Sequence, residues 1–301
     1  MNSEKRTLII ISGPTAVGKT DTALLLAKTL KTDILSADSR QFYREMRIGT
    51  ATPSMDELQL VPHHFIGHLS IHDPYNVSKF ETAALEKLDE LFLKHPKVIM
   101  VGGSGLYIHA VCHGIDQLPD PDPEIRKTLK EMLSMEGIEK LKSELQKLDP
   151  EYARMVDLQN PARLIRALEV CLTTGLPYSS LRSNKSQQRS FRWINIGLTL
   201  PREILNQRIN NRVDQMVHAG LVDEARDLYP FRDLNALNTV GYKELFEHFD
   251  GKVSLSQAIE NIKTHTRRYA KRQLTWFRKD LSIRWFYPQD TTAILASINL
   301  Y

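Results

Sequence analysis

Two cysteines in 301 residues leave nothing from which to build a disulfide framework. Cys112 and Cys171 stand far apart and neither belongs to a CxxC or a mixed Cys/His spacing, so a zinc site is equally unsupported and buried free thiols are expected. The apolar stretch after Met1-Asn2-Ser3-Glu4-Lys5-Arg6 runs for only a few residues, too short for a secretory core or a membrane span, and a cytoplasmic protein with no membrane partner is expected. Internal repeats and coiled-coil heptads are also missing, which argues against solenoids and rods. What remains is a chain of ordinary apolar and charged content, long enough for one large core plus a smaller domain.

Acidic residues are absent from one stretch in particular. Between Asn261 and Lys279 there are seven Lys or Arg residues (Lys263, Arg267, Arg268, Lys271, Arg272, Arg278 and Lys279) and no Asp or Glu. The whole chain carries +4, yet without those seven its 33 remaining basic residues face 36 acidic ones. Positive charge concentrated in this way suits a surface that meets a polyanion.

The most informative positive feature is Gly13-Pro14-Thr15-Ala16-Val17-Gly18-Lys19-Thr20, which fits the phosphate-cradling pattern GxxxxGK followed by Ser or Thr. The apolar strand Leu8-Ile9-Ile10-Ile11 precedes it and a helical apolar pattern from Ala23 to Ala27 follows, the context the motif requires. Glycines let backbone N–H groups close around phosphate oxygens at a helix N-terminus, Lys19 supplies a point charge, and the Thr20 hydroxyl is placed to ligate Mg2+. A ligand with at least two linked phosphates is expected. The loop alone does not say whether a terminal phosphoryl group moves, as in a kinase or hydrolase, or whether diphosphate is the leaving group of an alkyl transfer.

The first third alternates strand and helix: Leu8–Ile11, a helix over 19–30, a strand around Ile34-Leu35, an irregular stretch, a helix from about Lys79 to Lys94, and a buried-type strand Val98–Val101. This predicts an α/β fold with a parallel sheet flanked by helices. Ligands in such sheets bind beyond the carboxyl ends of the strands, where three segments fall: Gly13 to Thr20, Asp38 to Gln41, and Gly102 to Gly105. A proline-rich break at Leu118–Pro123 opens a helical insertion, with apolar residues at helical spacing from Ile125 to Leu133 and from Ile138 to Leu148. A further helix starts at Asn160-Pro161 and stops at Gly175. The serine-rich stretch Ser179 to Ser190 is expected to be mobile. Trp193–Leu198 re-enters the sheet, so the division predicted is a catalytic core of residues 1–118 and 191–301 with an all-helical insertion over 119–190. In the last third, Ile262, Thr266, Tyr269, Gln273 and Trp276 share one helical stripe, and Lys263, Arg267, Lys271 and Arg278 another, which predicts an amphipathic helix with a basic outer face.

Asp38 follows the second strand, where a carboxylate can bind Mg2+, position a hydroxyl or accept a proton; the plainer alternative is a cap on the next helix. Ser39 and Gln41 offer donor and acceptor groups to a ligand, and Ser104 puts a hydroxyl near the same point or is a simple turn serine. Arg202, Arg208 and Arg212 form a solvated helix face or a clamp over a diphosphate. His63 and His64, adjacent on an extended chain, point to opposite sides and make a poor metal pair, so packing is the expected role. Gly241-Tyr242-Lys243-Glu244 says little by itself.

In this order and spacing the blocks GPTAVGKT at 13–20, DSRQ at 38–41 with Tyr43, IGTA at 48–51, PHH at 62–64, GGSGLY at 102–107, ARLIRALEV at 162–170, GYKE at 241–244 and TRRYAKRQLTWFRK at 266–279 are highly specific, and the chain resembles the tRNA dimethylallyltransferase (tRNA isopentenyltransferase) family along nearly its full length. The resemblance implies a P-loop NTPase-like core, an insertion that grips the anticodon stem of tRNA, and transfer of a dimethylallyl group from dimethylallyl diphosphate to N6 of the adenine 3′ to the anticodon, with Mg2+ as cofactor and the chain acting as a monomer. It assigns Asp38 as the base and Ser104 as the hydroxyl that assists the leaving oxygen. Diphosphate falls to Gly13, Thr15, Ala16, Val17, Gly18, Lys19, Thr20 and Arg212, with Thr20 on the metal. tRNA falls to Asp38, Ser39, Arg40, Gln41, Ser104, to Ala162, Arg163, Leu164, Ile165 and Arg166, and to Arg267, Lys271 and Arg272. The family usually has Thr where Ser104 stands, Lys at Thr52 and commonly Gln at Ala162; the last two departures bear on RNA contacts and not on the reaction. The main rival reading is a P-loop small-molecule kinase using ATP, and the second a non-enzymatic RNA-binding switch.

Overall fold

The isoleucine-rich run after Arg6 forms β1 (Thr7–Ser12), buried along its whole length, and this sets the centre of the sheet. The computed structural model describes residues 6–120, 122–183 and 186–299. After β1 come α1 (Lys19–Leu30), β2 (Ile34–Ser36), α2 (Met55–Leu60), β3 (His63–His64), α3 (Val77–Phe92), β4 (Lys97–Gly102) and α4 (Gly105–His113). Then follow α5 (Pro123–Leu148), α6 (Pro150–Met155), α7 (Pro161–Thr174), β5 (Arg192–Leu198), α8 (Arg202–His218), α9 (Leu221–Leu228), α10 (Tyr242–Phe249), α11 (Leu255–Phe277), β6 (Arg284–Phe286) and α12 (Thr291–Asn299). The strands make one six-stranded sheet in the order β3-β2-β4-β1-β5-β6, and every pairing is parallel. This is the P-loop NTPase-like arrangement, with β1 central and the phosphate loop at its carboxyl end.

Strand alternation divides the core between the two faces. Ile9 and Ile11 pack with α1, with Leu205 and Ile209 of α8 and with Ile294 and Ile298 of α12, whereas Leu8 and Ile10 pack with Phe80, Ala84 and Leu88 of α3 and with Ile108 and Val111 of α4. A third cluster gathers α9, α10 and the start of α11 around Tyr242, one of the largest fully buried side chains. Both cysteines are free and buried. Among the described residues no helix is long and apolar enough to cross a membrane.

The chain divides into two compact units, 1–113 with 188–301, and 114–187. The limits lie a few residues before those predicted from the proline break and the returning strand. Arg189 explains the second one: its guanidinium donates to Glu81 and to the carbonyls of Ala110 and Val111, all in the sheet unit. In the helical unit α5 breaks at Gly137 (φ 77°), α7 is capped by the Asn160 side chain, and Leu141, Leu145, Leu164 and Leu168 share a core. The stretch predicted to be mobile is instead tied down in part. Asp149 accepts the Ser179 N–H at 2.6 Å and its hydroxyl at 2.8 Å, and Asp116 accepts the Ser183 N–H at 3.0 Å. Asn184 and Lys185 lie outside the described residues, as does Pro121 of the proline break.

Candidate active site

The phosphate loop is forced into shape by the crowding of β5 against β1. Gly13 has φ 146°, and a Cβ there would lie 2.6 Å from the Leu198 carbonyl oxygen, so only glycine fits. Ala16 adopts φ 62°, a left-handed conformation that costs about 1–2 kcal/mol in an L-residue and is retained here at the turn of the loop. Gly18 caps α1 without any side-chain cap, which leaves the first amides of the helix open toward the loop. Lys19 Nζ donates to the carbonyls of Gly13 at 3.0 Å and Pro14 at 2.8 Å. Burial pulls its pKa down to about 8, with Asp38 opposing and Arg212 reinforcing that fall.

Arg208 and Arg212 both reach the loop, Arg212 from a partly buried position and Arg208 while still exposed to solvent. Arg208 donates to the Val17 carbonyl at 3.2 Å, and Arg212 Nη1 is 3.5 Å from the Thr15 hydroxyl. Burial lowers the Arg212 pKa, offset by Asp21, Asp38 and Glu57. Arg202, at the start of α8, is exposed.

Loop, arginine and acid meet in one cavity of about 720 Å3, lined by Thr15, Lys19, Thr20, Asp38, Arg212 and Tyr269 among others, within the range of small-ligand sites. Asp38 reaches it from the end of β2. One carboxylate oxygen accepts the Arg40 N–H at 3.1 Å, closing a local turn and not capping a helix, and among the described residues no hydrogen bond engages the other. Ser104 follows β4 and stands behind this turn: its hydroxyl accepts the Ser39 N–H at 3.0 Å and donates to Ser39 Oγ at 3.2 Å. It is absent from the cavity wall, unlike Asp38 and Ser39. Burial, with Asp38 nearby, raises the Tyr269 pKa, so this phenol stays neutral.

Two further residues hold the cavity together. Gln273 of α11 is 6% exposed. Its Oε1 accepts the Thr15 N–H at 2.9 Å and its Nε2 donates to the Gly103 carbonyl at 2.9 Å, so one amide joins the phosphate loop to the loop after β4. Glu224 of α9 accepts the amides of Ile48 at 2.8 Å and Gly49 at 2.9 Å and the Tyr242 hydroxyl at 2.7 Å. A Cβ on Gly49 would lie 2.5 Å from that hydroxyl, which accounts for glycine in the IGTA block and tyrosine in GYKE. In the sequence Gln273 falls on one stripe of the amphipathic helix with nothing to mark its role; Glu224 carries no signal. His63 and His64 form the edge strand β3, where His63 Nδ1 donates to the Val61 carbonyl at 2.7 Å and His64 Nε2 is 2.8 Å from Asp33.

Several residues assigned to RNA are engaged elsewhere. Arg40 donates to the carbonyls of Asn235 and Ala236, both at 2.9 Å, and Gln41 Nε2 to those of Thr50 at 3.2 Å and Ala51 at 3.1 Å. These bonds brace the rim of the cavity. Lys263 and Arg267 are not on an outer face: Lys263 pairs with Asp214 at 2.8 Å, and Arg267 donates to Asn210 at 2.6 Å, because α8 packs along this side of α11. Arg268, Lys271, Arg272, Arg278 and Lys279 are exposed. In the helical unit Leu164 and Ile165 are core side chains, since the apolar stripe of α7 faces inward, and Arg166 is held by Glu169 at 2.9 Å and the Pro119 carbonyl at 2.8 Å. Ala162 and Arg163 are exposed.

Comparison with known proteins agrees with this fold. Residues 41–280 match the family model described as IPP transferase. A tRNA dimethylallyltransferase from Christiangramia forsetii is 57% identical over 279 residues, covering 93% of this chain and 92% of its own. The full-length tRNA isopentenylpyrophosphate transferase of Bacillus halodurans superposes with a TM-score of 0.71 at 39% identity, over 98% of this chain and 96% of that one. A eukaryotic dimethylallyltransferase acting on tRNA gives a TM-score of 0.74 at 26% identity, over 90% of this chain and 70% of that one. With the matched model and this level of identity spanning nearly the whole sequence, the chain belongs to the IPP transferase family.

Proposed function

We propose that the protein transfers a dimethylallyl group from dimethylallyl diphosphate to N6 of the adenine 3′ to the anticodon in tRNA, releasing diphosphate, and that it works as a monomer in the cytoplasm. The observation that carries this reading is a single cavity holding both an open phosphate loop and an Asp38 carboxylate with one oxygen unengaged. A kinase can use a loop and a carboxylate base as well; membership of the IPP transferase family is what favours alkyl transfer, with the loop holding the leaving diphosphate and the base serving a weak nitrogen nucleophile.

The diphosphate lies along Gly13 to Thr20 and takes the open amides of α1, Lys19 Nζ after it leaves the Gly13 and Pro14 carbonyls, and the Arg212 guanidinium. These groups stabilise charge that builds as the allylic carbon–oxygen bond breaks. The adenine is extruded from the anticodon loop so that N6 can reach the cavity. Its lone pair is delocalised into the ring, and Asp38 accepts the proton as the nitrogen becomes cationic. Ser104 holds the Asp38-Ser39 turn from behind the cavity wall, and for its hydroxyl to assist the leaving oxygen that turn must move aside.

Mg2+ fits the donor set as an ion that arrives with the diphosphate. Among the described residues no group of three or more His, Cys, Asp or Glu is placed to hold a metal alone, while Thr20 and Asp38 line the same cavity. Thr20 and Asp38 would hold the ion, which when bound would supply neutralisation of the charge on the diphosphate. Arg163 in the helical unit and Lys271 and Arg272 on α11 are the exposed cations assigned to tRNA.

The test is to incubate the protein with tRNA, Mg2+ and either dimethylallyl diphosphate or ATP, then weigh the digested nucleosides. An adenosine heavier by one dimethylallyl group, formed only with the allylic donor, is expected. A phosphorylated product formed with ATP, or no change with the allylic donor, refutes the reading.

A further inference from the structure

Helix α11 presents one large aromatic side chain that the folded core leaves open. Trp276 has 44% of its surface exposed, whereas Trp193 and Trp285 pack against the core beneath α4. Its indole sits on bare backbone: a Cβ on Gly105 would fall 2.2 Å from both Cδ1 and Nε1. Gly105 directly follows Ser104, which is bonded to the Ser39 amide beside Asp38, so the ring is only a few residues from the carboxylate wall. Leu106 next to it is 46% exposed and widens the apolar surface.

The surroundings of the ring are cationic. One helical turn earlier Arg272 stacks over Tyr269, 5.7 Å from the ring centre, and both residues line the large cavity. Lys279 lies nearly one turn later, and Lys271, Arg272, Arg278 and Lys279 are all exposed. The nearest acid in sequence, Asp280, is held by Ser282 at 2.6 Å and Asn195 at 3.1 Å. A small recess of about 70 Å3 opens between Trp276, Gly105, His109 and His113. It is far smaller than the several hundred Å3 of a ligand pocket, so a planar ligand lies over the indole and not inside the recess.

An exposed aromatic face with cations one turn before and after it on the helix, and with Asp280 bonded to Ser282 and Asn195 at the edge of the recess, is a surface on which an unpaired base stacks while its phosphates meet the cations. We propose that Trp276 is a stacking platform for an unpaired base of the RNA substrate adjoining the extruded adenine, with Arg272 and Lys279 meeting the neighbouring phosphates. This rests on the proposed function. Extruding the adenine strips a neighbouring base of its stacking partner, and the indole replaces that partner.

The test compares wild type, Trp276→Ala and Trp276→Phe for binding of an anticodon stem-loop RNA and of inorganic diphosphate. Stem-loop affinity should fall about 10- to 100-fold in W276A, recover largely in W276F, and diphosphate affinity should hold constant throughout. In a Trp193→Phe, Trp285→Phe background the remaining tryptophan emission should be quenched by the stem-loop. A W276A protein that binds the stem-loop within about twofold of wild type, or emission unmoved by RNA, overturns the proposal. So does a self-association of the protein that W276A abolishes while RNA affinity is kept, which would assign the face to a second copy of the chain. Wild type that makes no prenylated adenosine defeats the proposed function; an active wild type with an indifferent W276A defeats this inference alone.

Discussion

At the scale of single residues the site turns on Lys19 and Asp38. Buried Lys19 loses its proton at about pH 8 when no anion is bound, and a diphosphate in the loop must raise that value. Diphosphate affinity is therefore full below pH 8 and declines as pH rises through it, by up to about tenfold per pH unit. Titration calorimetry with inorganic diphosphate in metal-free buffer across this range should show the decline in wild type and not in Lys19→Arg, which keeps its charge; ionisation of the ligand is common to both. Stability without ligand moves the other way: between pH 8 and 10.5 the unfolded chain holds the Lys19 proton that the folded one has lost, so the cost of burying this group is progressively relieved and stability rises across that window. Asp38→Asn keeps an acceptor for the Arg40 amide but cannot take the N6 proton. Single-turnover prenylation should slow by about 10²–10⁴ while stem-loop affinity is retained, and unchanged turnover would remove Asp38 from the chemistry. These two residues were legible in the sequence because fixed spacing and a strand end locate them. The open oxygen of Asp38 and the Ser39 partner of Ser104 were not, since both depend on rotamers.

At the scale of elements, α11 is more than a basic surface. Its buried Gln273 ties Thr15 in the phosphate loop to Gly103 after β4, residues 258 and 170 positions away. Gln273→Leu removes both bonds and orphans an N–H and a carbonyl, each worth about 1–3 kcal/mol when buried. We expect stability in urea to fall by about 2 kcal/mol and the KM for dimethylallyl diphosphate to rise. Wild-type stability with an unchanged KM would mean that water replaces the amide. Helices α1, α3, α5, α7 and α11 were readable from their 3.6-residue periodicity and caps, and the central strands from their apolar runs; short helices such as α2, α6 and α9 were not. The edge strands β3 and β6 were not: they are two and three residues long, and His63-His64 has no apolar signature. The bonds from Glu224 to the 48–49 turn span some 175 residues, and no local pattern announces them.

At the scale of the whole molecule, charge decides how RNA is met. The acid-free stretch 261–279 promised seven cations, but Lys263 is shared between Asp214 at 2.8 Å and Glu260 at 3.0 Å with its side chain 14% exposed, and Arg267 is bound to Asn210. Composition shows where charge lies in sequence; only packing against α8 shows which charges are already answered. The two groups should separate in a salt titration of stem-loop binding. Each exposed cation that neutralises a phosphate contributes about 0.7–0.9 to the slope of log K against log salt. Lys271→Gln should therefore flatten the slope by nearly one unit and weaken all RNA sequences alike. Lys263→Gln should leave the slope as in wild type and lower the unfolding midpoint, because its loss exposes Asp214 and Glu260 to each other across α8 and α11. Equal flattening by both substitutions would mean that the Lys263 pairs open when RNA binds, and the basic surface would then be the one the sequence promised and not the smaller one seen in the fold.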